Sequence, residues 1–312
     1  MHAVTIDDGQ LVWQEHRDPV PGAREVLISV RAAGLNGADM AQRHGFYPAP
    51  PGSPADVPGM ELAGTIVDLG PGVLDFVAGD RVMAIVGGGA QAELAVVHER
   101  HLLRVPDGVD WPEAGGFPEV FVTAHDALFT QCGLAMGDRL CVHGAAGGVG
   151  LAGVQLGVCA GATVVATVRN ESLRNAVAEF GASVVAPDAF VDEGPFDVVL
   201  ELVGAPNLAD DLASLRIGGR IAVIGVGGGA NAELNLLALM GKRARIHGST
   251  LRARSLEDKA AATRRVEQHV LPLLASGAVR VPVAETFPMT EVSAAYDRFA
   301  AGGKLGKIVL VR

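Results

Sequence analysis

The sequence predicts an α/β chain in which a doubly wound parallel sheet follows a region of short strands. Three observations carry that expectation. Between Asp138 and Gly150 a short apolar strand runs into a glycine-rich turn and then into a helix. From about residue 121 to 280, strand-like and helix-like stretches alternate, which demands parallel pairing with right-handed crossovers. Residues 1 to about 120 read instead as mostly short strands bounded by glycine, proline or aspartate.

Composition bounds the function. At 312 residues the chain has length for about two domains with real cores. Hydrophobic residues are 49% and charged residues 19%, a globular composition. A net charge of −10 argues against a nucleic-acid partner. Asp7, Asp8 and Glu15 interrupt the opening stretch, so no secretory signal is read there. Cys141 to Val168 carries no Asp, Glu, Lys or Arg and could be mistaken for a membrane span. Its seven glycines divide it into strand, turn, helix and strand, the signature of a βαβ unit buried on both faces. No membrane partner is therefore expected. Cys132, Cys141 and Cys159 form no C-x-x-C pair and read as buried thiols of a reducing compartment, the cytoplasm.

Taken in order, Val26 to Arg31 alternates apolar and polar residues, and Leu62 to Leu69 and Arg81 to Val86 are further strands. A proline-rich stretch, Tyr47 to Gly59, is a long ordered loop suited to the wall of a cleft. After the glycine turn come strand Ala162 to Thr167, helix Glu171 to Phe180, strand Asp197 to Leu202, helix Asn207 to Leu215 and strand Gly219 to Gly225. A mixed-charge helix runs from about Ser255 to Ser276. The chain then reads strand Val279 to Ala284, helix Glu291 to Ala300 capped by Thr290 and ended by Gly302, and strand Lys307 to Val311.

The turn points to a dinucleotide. Gly144, Gly147, Gly148 and Gly150 allow a tight turn and a close backbone approach to a pyrophosphate, with Val149 in the first helical turn. Helix amides and dipole favour an anion there. Ala145 stands where G-x-G-x-x-G has its first glycine, so the fit is A-x-G-x-x-G. A fold selective for NADH places an acid at the end of the second strand. That strand ends here at Thr167 without one, and Arg169 follows, a guanidinium suited to a 2′-phosphate. Glu171 lies near the acid's distance but reads as a first-turn residue of a helix capped by Asn170. NADPH is the expected cofactor, with Arg169 and then Arg174 as phosphate ligands. Glu201, Gly204 and Gly225 end later strands at the ligand crevice.

Several segments carry a resemblance. They are Gly34 to Tyr47, Pro58-Gly-Met-Glu61, Gly79 to Val82, Pro118 to Ala124, His143 to Gly150 and Leu305 to Leu310. Together they resemble the zinc-free quinone oxidoreductases, the zeta-crystallin-like branch of the medium-chain dehydrogenase/reductase superfamily. The Tyr47 piece and Ser249 to Ser255 look most like the p53-inducible type. The resemblance implies a GroES-like, mainly β domain from residues 1–120 plus 281–312, with a Rossmann domain at 121–280 inserted in it. It also implies an active site in the cleft and a homodimer through an edge strand near Arg245 to Ser249.

Metal chemistry is not expected. Where zinc-dependent relatives place a cysteine and the histidine of Gly-His-Glu, this chain has Asn36 and Met60, an amide and a thioether. Nor do its nine histidines make a ligand-spaced pair, and most read as surface residues. Without zinc, the oxygen of a quinone or enone that receives hydride needs hydrogen-bond donors. Asn36 and Tyr47 are the candidates, with Asp39 orienting Asn36 and Thr123 matching the family position beside the nicotinamide. Each has a plainer role open to it: Asn36 a left-handed turn, Asp39 a helix cap, Tyr47 packing and Thr123 a helix cap. Lys307 resembles a terminal cofactor contact, and equally a solvated strand lysine. The expected activity is NADPH-dependent, flavin-free quinone reduction. The rivals are enone double-bond reduction on the same scaffold and a non-catalytic, crystallin-like NADPH binder.

Overall fold

Residues 1 to 115 form strands wherever apolar and polar residues alternate, as expected, and two short helices. The structure is a computed structural model describing residues 1 to 312. Its first elements are β1 (His2–Asp7), β2 (Gln10–Glu15), β3 (Glu25–Gly34), α1 (Gly37–Arg43), β4 (Glu61–Leu69), β5 (Arg81–Ile85), β6 (Leu94–His98), β7 (Leu102–Arg104) and α2 (Trp111–Gly115). Along β3, Val26, Ile28 and Val30 are fully buried while their neighbours are partly exposed, the one-sided burial of an antiparallel strand.

From α3 (Pro118–His125) onward the pattern changes. The chain runs β8 (Arg139–Val142), α4 (Gly148–Cys159), β9 (Thr163–Thr167), α5 (Arg174–Ala178), β10 (Ser183–Val185), β11 (Phe196–Glu201), α6 (Leu208–Ser214), β12 (Leu215–Val223), α7 (Leu236–Lys242) and β13 (Arg245–Gly248). These six strands pair in parallel in the order β10-β9-β8-β11-β12-β13. The order reverses between β8 and β11, and the crevice at their carboxyl ends is where such a sheet binds a ligand. Every residue of β11 is buried, as a central strand covered on both faces requires. Helix α4 lies close on the sheet because it presents Gly153 and Gly157. A Cβ on either would stand 2.6 Å from Leu200 or 2.7 Å from Leu140.

The chain ends with α8 (Leu256–His269), α9 (Leu271–Ala275), β14 (Val283–Pro288), α10 (Val292–Ala300) and β15 (Lys307–Val311). The seven-stranded sheet of the first unit has the order β14-β15-β3-β4-β5-β7, with β6 also pairing with β3. Two compact units result. One is Met1–Glu119, Leu251–Gly302 and Lys307–Arg312; the other is Val120–Thr250 and Gly303–Gly306.

Several expectations are corrected. The boundary falls after Thr250, not near 280, because residues 251 onward are hydrogen-bonded into the first unit. Arg252 donates to the Gly87, Tyr47 and Gln42 oxygens at 2.7, 2.7 and 2.5 Å. The single helix expected from Ser255 to Ser276 breaks at Val270, since Pro272 has no amide to continue it and opens α9 instead. The expected helix at Glu171 begins as a 3₁₀ turn, Glu171–Leu173. Thr290 lies inside another, Met289–Glu291, and caps nothing. The strand expected at Val279 to Ala284 is displaced to Val283–Pro288.

Candidate functional site

The parallel sheet presents a phosphate cradle. Gly147 precedes α4 with no side-chain cap, so the amides of Gly148, Val149 and Gly150 come before the first intrahelical bond, Leu151 N–H to Gly147 O at 2.9 Å. A Cβ on Gly150 would stand 2.6 Å from both Gly144 O and the Ala145 Cα, so the helix enters the turn closely enough to admit only glycine. Ala145 is fully buried and donates its N–H to Thr167 O at 3.2 Å, holding the turn against β9. A late segment completes the border: Gly306 N–H donates to Ala146 O at 2.8 Å, and Gly147 and Gly306 form a parallel bridge. Gly204 (φ +107°) and Gly225 cross so tightly that a Cβ on either would lie 2.5 Å from a backbone oxygen.

At the end of β9, Arg169 is exposed and its guanidinium has no protein partner. Arg174 donates its Nε to Val168 O at 3.1 Å and is partly committed. Asn170 accepts the Ser172 N–H at 3.1 Å and its hydroxyl at 2.9 Å, so its side chain is a cap rather than a cofactor ligand.

Beneath the turn lies a network that sequence reasoning missed. His143 is fully buried. Its Nδ1 meets Thr167 Oγ1 at 3.0 Å and its Nε2 meets Asp211 Oδ1 at 2.8 Å. Thr167, at the end of β9 where a cofactor contact is placed, spends its hydroxyl on this imidazole instead. Glu201 also turns inward, accepting the N–H groups of Val203 and Gly204 and the Asn207 amide (3.0 Å). Burial pushes the Asp211 carboxyl up to about 7, raises Glu201 and lowers His143, which keeps the imidazole neutral. Ligand atoms of His143, Glu201 and Asp211 lie within 4.8 Å of one another. Because these atoms already face N–H donors and each other, the contacts are those of a shared-proton network bracing two strand ends. Its signal in the sequence was a histidine directly before the glycine turn.

The first unit holds a second buried polar cluster. Asn36, which precedes α1, has extended backbone (φ −130°), so it makes no left-handed turn. Its N–H donates to Asp39 Oδ2 at 2.8 Å, making Asp39 the third helical residue of a capping box. Asn36 Nδ2 donates to Glu61 Oε1 at 2.9 Å and to Gly34 O at 3.3 Å, and its Oδ1 accepts Lys307 Nζ at 2.7 Å. The expectation that Asn36 donates to a substrate oxygen is therefore corrected: both amide hydrogens are already engaged. Lys307 is corrected too. It is neither solvated nor a cofactor contact, being 2% exposed with its three donors on Leu35 O (2.8 Å), Asn36 Oδ1 and Glu61 Oε1 (2.5 Å). Gly34 makes room for this pair, since a Cβ there would meet Glu61 Oε1 at 2.3 Å. Burial holds the Asp39 carboxyl up at about 6.

Tyr47 and Glu119 stand apart from that cluster in one respect. Both are partly buried, and neither the Tyr47 hydroxyl nor the Glu119 carboxyl has a hydrogen-bond partner in the protein. Arg252 fixes Tyr47 from its backbone oxygen and lies 5.1 Å from its ring centroid. In the second unit, Thr123 lies within α3, not at a cap, and is 8% exposed.

The same geometry tests a zinc ion. Lys307 brings its ammonium onto Asn36 Oδ1 and Glu61, and Met60 offers only a buried thioether. A cation already fills the charge requirement of this carboxylate, and no thiolate or imidazole replaces the missing ligands, so the residues do not fit zinc.

Residues 22–107 match the alcohol dehydrogenase GroES-like domain family, and residues 162–310 match a family described as zinc-binding dehydrogenase. The chain is 31% identical to a quinone oxidoreductase of Rattus norvegicus over 311 residues, covering 94% of this chain and 91% of that one. It is 30% identical to an acryloyl-coenzyme A reductase of Metallosphaera sedula, covering 95% of each. Among solved structures, a mycobacterial protein complexed with NADPH superposes with a TM-score of 0.89 at 26% identity, covering 100% of both chains.

Proposed function

This chain belongs to the medium-chain dehydrogenase/reductase superfamily, and on that premise we propose that it is an NADPH-dependent reductase of quinones working without zinc or flavin. The observation that carries the reading is the pairing, at one end of the parallel sheet, of free amides at Gly148 to Gly150 with the unpartnered Arg169 guanidinium. The first group suits a pyrophosphate and the second a 2′-phosphate. Reduced nicotinamide, when bound, supplies hydride from C4. The protein's own part is to position the acceptor and to meet the charge that grows on its oxygen. Glu61, Asn36 and Lys307 supply rigidity, and the Tyr47 hydroxyl is free to donate. Quinones are strong acceptors and tolerate a modest donor set. The quinone oxidoreductase relatives and the NADPH-bound neighbour support this reading.

A second reading, reduction of an enone or alkenal double bond, is favoured by the acryloyl-coenzyme A reductase relative. One panel separates them: NADPH oxidation followed with several quinones and several enones. Turnover of quinones is expected. Efficient enone turnover without quinone turnover would replace the first reading by the second, and NADPH binding without either would mark a non-catalytic binder.

The same reading includes a homodimer and a cytoplasmic location. Strand β13 pairs only with β12 and leaves an open edge, beside which α7 exposes Leu236, Leu237 and Met240. Cys132, Cys141 and Cys159 are all free thiols, and no helix is long and apolar enough to cross a membrane.

A further inference from the structure

With the Asn36 amide and Lys307 engaged internally, the Tyr47 hydroxyl and the Glu119 carboxyl are the uncommitted groups beside them. We propose that Glu119 is the proton donor: its carboxyl delivers the proton to the acceptor oxygen as hydride arrives on the acceptor. The inference rests on the reductase reading above.

Glu119 is the second residue of α3, and its own N–H donates to Glu61 Oε2 at 2.9 Å. The other oxygen of Glu61 holds Asn36 and Lys307. One carboxylate therefore fixes Glu119 beside the buried cluster, by its backbone, while leaving its side chain uncommitted. Among the carboxyls of this region, Glu61 and Asp39 accept N–H groups and have fixed places, whereas the Glu119 side chain makes no hydrogen bond or ion pair.

Its surroundings favour the neutral acid. Burial is the largest influence and the Glu61 carboxylate the next, and together they push the Glu119 carboxyl up to about 8. Asp39 acts in the same direction; Lys307 and Lys259 oppose it. Lys307 is held by Glu61, and Lys259 donates to Arg252 O at 3.1 Å. Tyr47 and Arg252 complete the charged and titratable neighbourhood. A carboxylic acid that keeps its proton at neutral pH, yet releases it near the working pH, is well matched to general-acid catalysis. The Tyr47 hydroxyl, raised further from its already high value by burial, is the poorer acid and the better hydrogen-bond donor.

The step balances. The acceptor gains two electrons and a hydrogen as hydride from the reduced nicotinamide, and a proton from Glu119. The Glu119 O–H bond breaks as the new bond to the acceptor forms, and the carboxylate is reprotonated by water. For a quinone this completes the hydroquinone; for an enone it gives the enol, which becomes the saturated carbonyl compound by exchanging its O–H proton for one on carbon through water.

The test uses the full-length protein and its Glu119→Gln and Glu119→Asp variants. With a saturating acceptor, E119Q is expected to lose on the order of 100-fold or more in kcat with little change in KM for NADPH. Wild-type kcat/KM should fall as pH rises through about 8, E119D should keep an alkaline limb, and E119Q should lose it. A readout independent of turnover is the infrared band of a protonated carboxyl in protein labelled with carbon-13 glutamate. It should persist at neutral pH, titrate near 8, and be missing from E119Q of unchanged melting temperature. An E119Q enzyme with wild-type kcat and the same alkaline limb would overturn the proposal, as would a Glu119 band that titrates in the ordinary carboxylate range. Wild-type protein that binds NADPH but reduces neither quinones nor enones would instead overturn the reading beneath it.

Discussion

Arg169 has nothing to hold within the protein, which is what leaves it free to hold a phosphate. Replacing it by Ala should remove charge-assisted hydrogen bonds of about 1.5–3 kcal/mol, raising KM for NADPH roughly 10- to 100-fold. KM for NADH should barely move, and equal effects on both cofactors would remove Arg169 from the site. The proposal for this residue needs only its position at a strand end, whereas the places of Asn36, Thr167 and Lys307 depend on the fold. Each is of a type and place suited to touching a ligand, yet each spends its polar atoms on other protein groups. Residue type reveals what a side chain can donate or accept; only the fold decides where those bonds go. Glu119 shows the converse, since nothing in its local sequence marks a carboxyl that burial pushes up to about 8.

Elements were legible where periodicity is strong. The strand, glycine turn and helix at Arg139 to Cys159 follow from an apolar run, uncharged from Leu140 onward and broken by glycines, and β11 from the apolar Val198 to Leu200 at its centre. Short pieces such as β10 and α7 offer too few residues for a period to show, and tertiary pairing makes them. Strand β15 lies at Lys307 to Val311 as expected, but its first residue, expected as a cofactor contact or else a solvated lysine, is buried. That residue joins β15 to β4 and the start of α1 through one buried ion pair. Lys307→Met should therefore cost about 3–5 kcal/mol in urea unfolding, because it leaves the Glu61 carboxylate buried and unpaired. Adding Glu61→Gln should restore much of the loss. A single variant as stable as wild type would mean that the pair is not formed in solution.

At the scale of the whole chain, the open edge of β13 and the exposed face of α7 set the expected assembly. Wild-type protein should sediment as a dimer at micromolar concentration, and Leu237→Asp with Met240→Asp should sediment as a monomer of nearly unchanged melting temperature. A monomeric wild type would remove the interface from the reading. The order of domains along the chain was legible through resemblance, whereas the boundary after Thr250 was not, because it depends on where Arg252 finds its acceptors. The segment Gly303–Gly306 bears on how the protein is made. It borders the glycine turn some 160 residues after that turn is synthesised, and the next residue, Lys307, neutralises Glu61. A ribosome can thus finish every strand of the parallel sheet before the residues that complete either polar site exist. During synthesis, the emerging chain has a framework well before it has a finished place for a nucleotide.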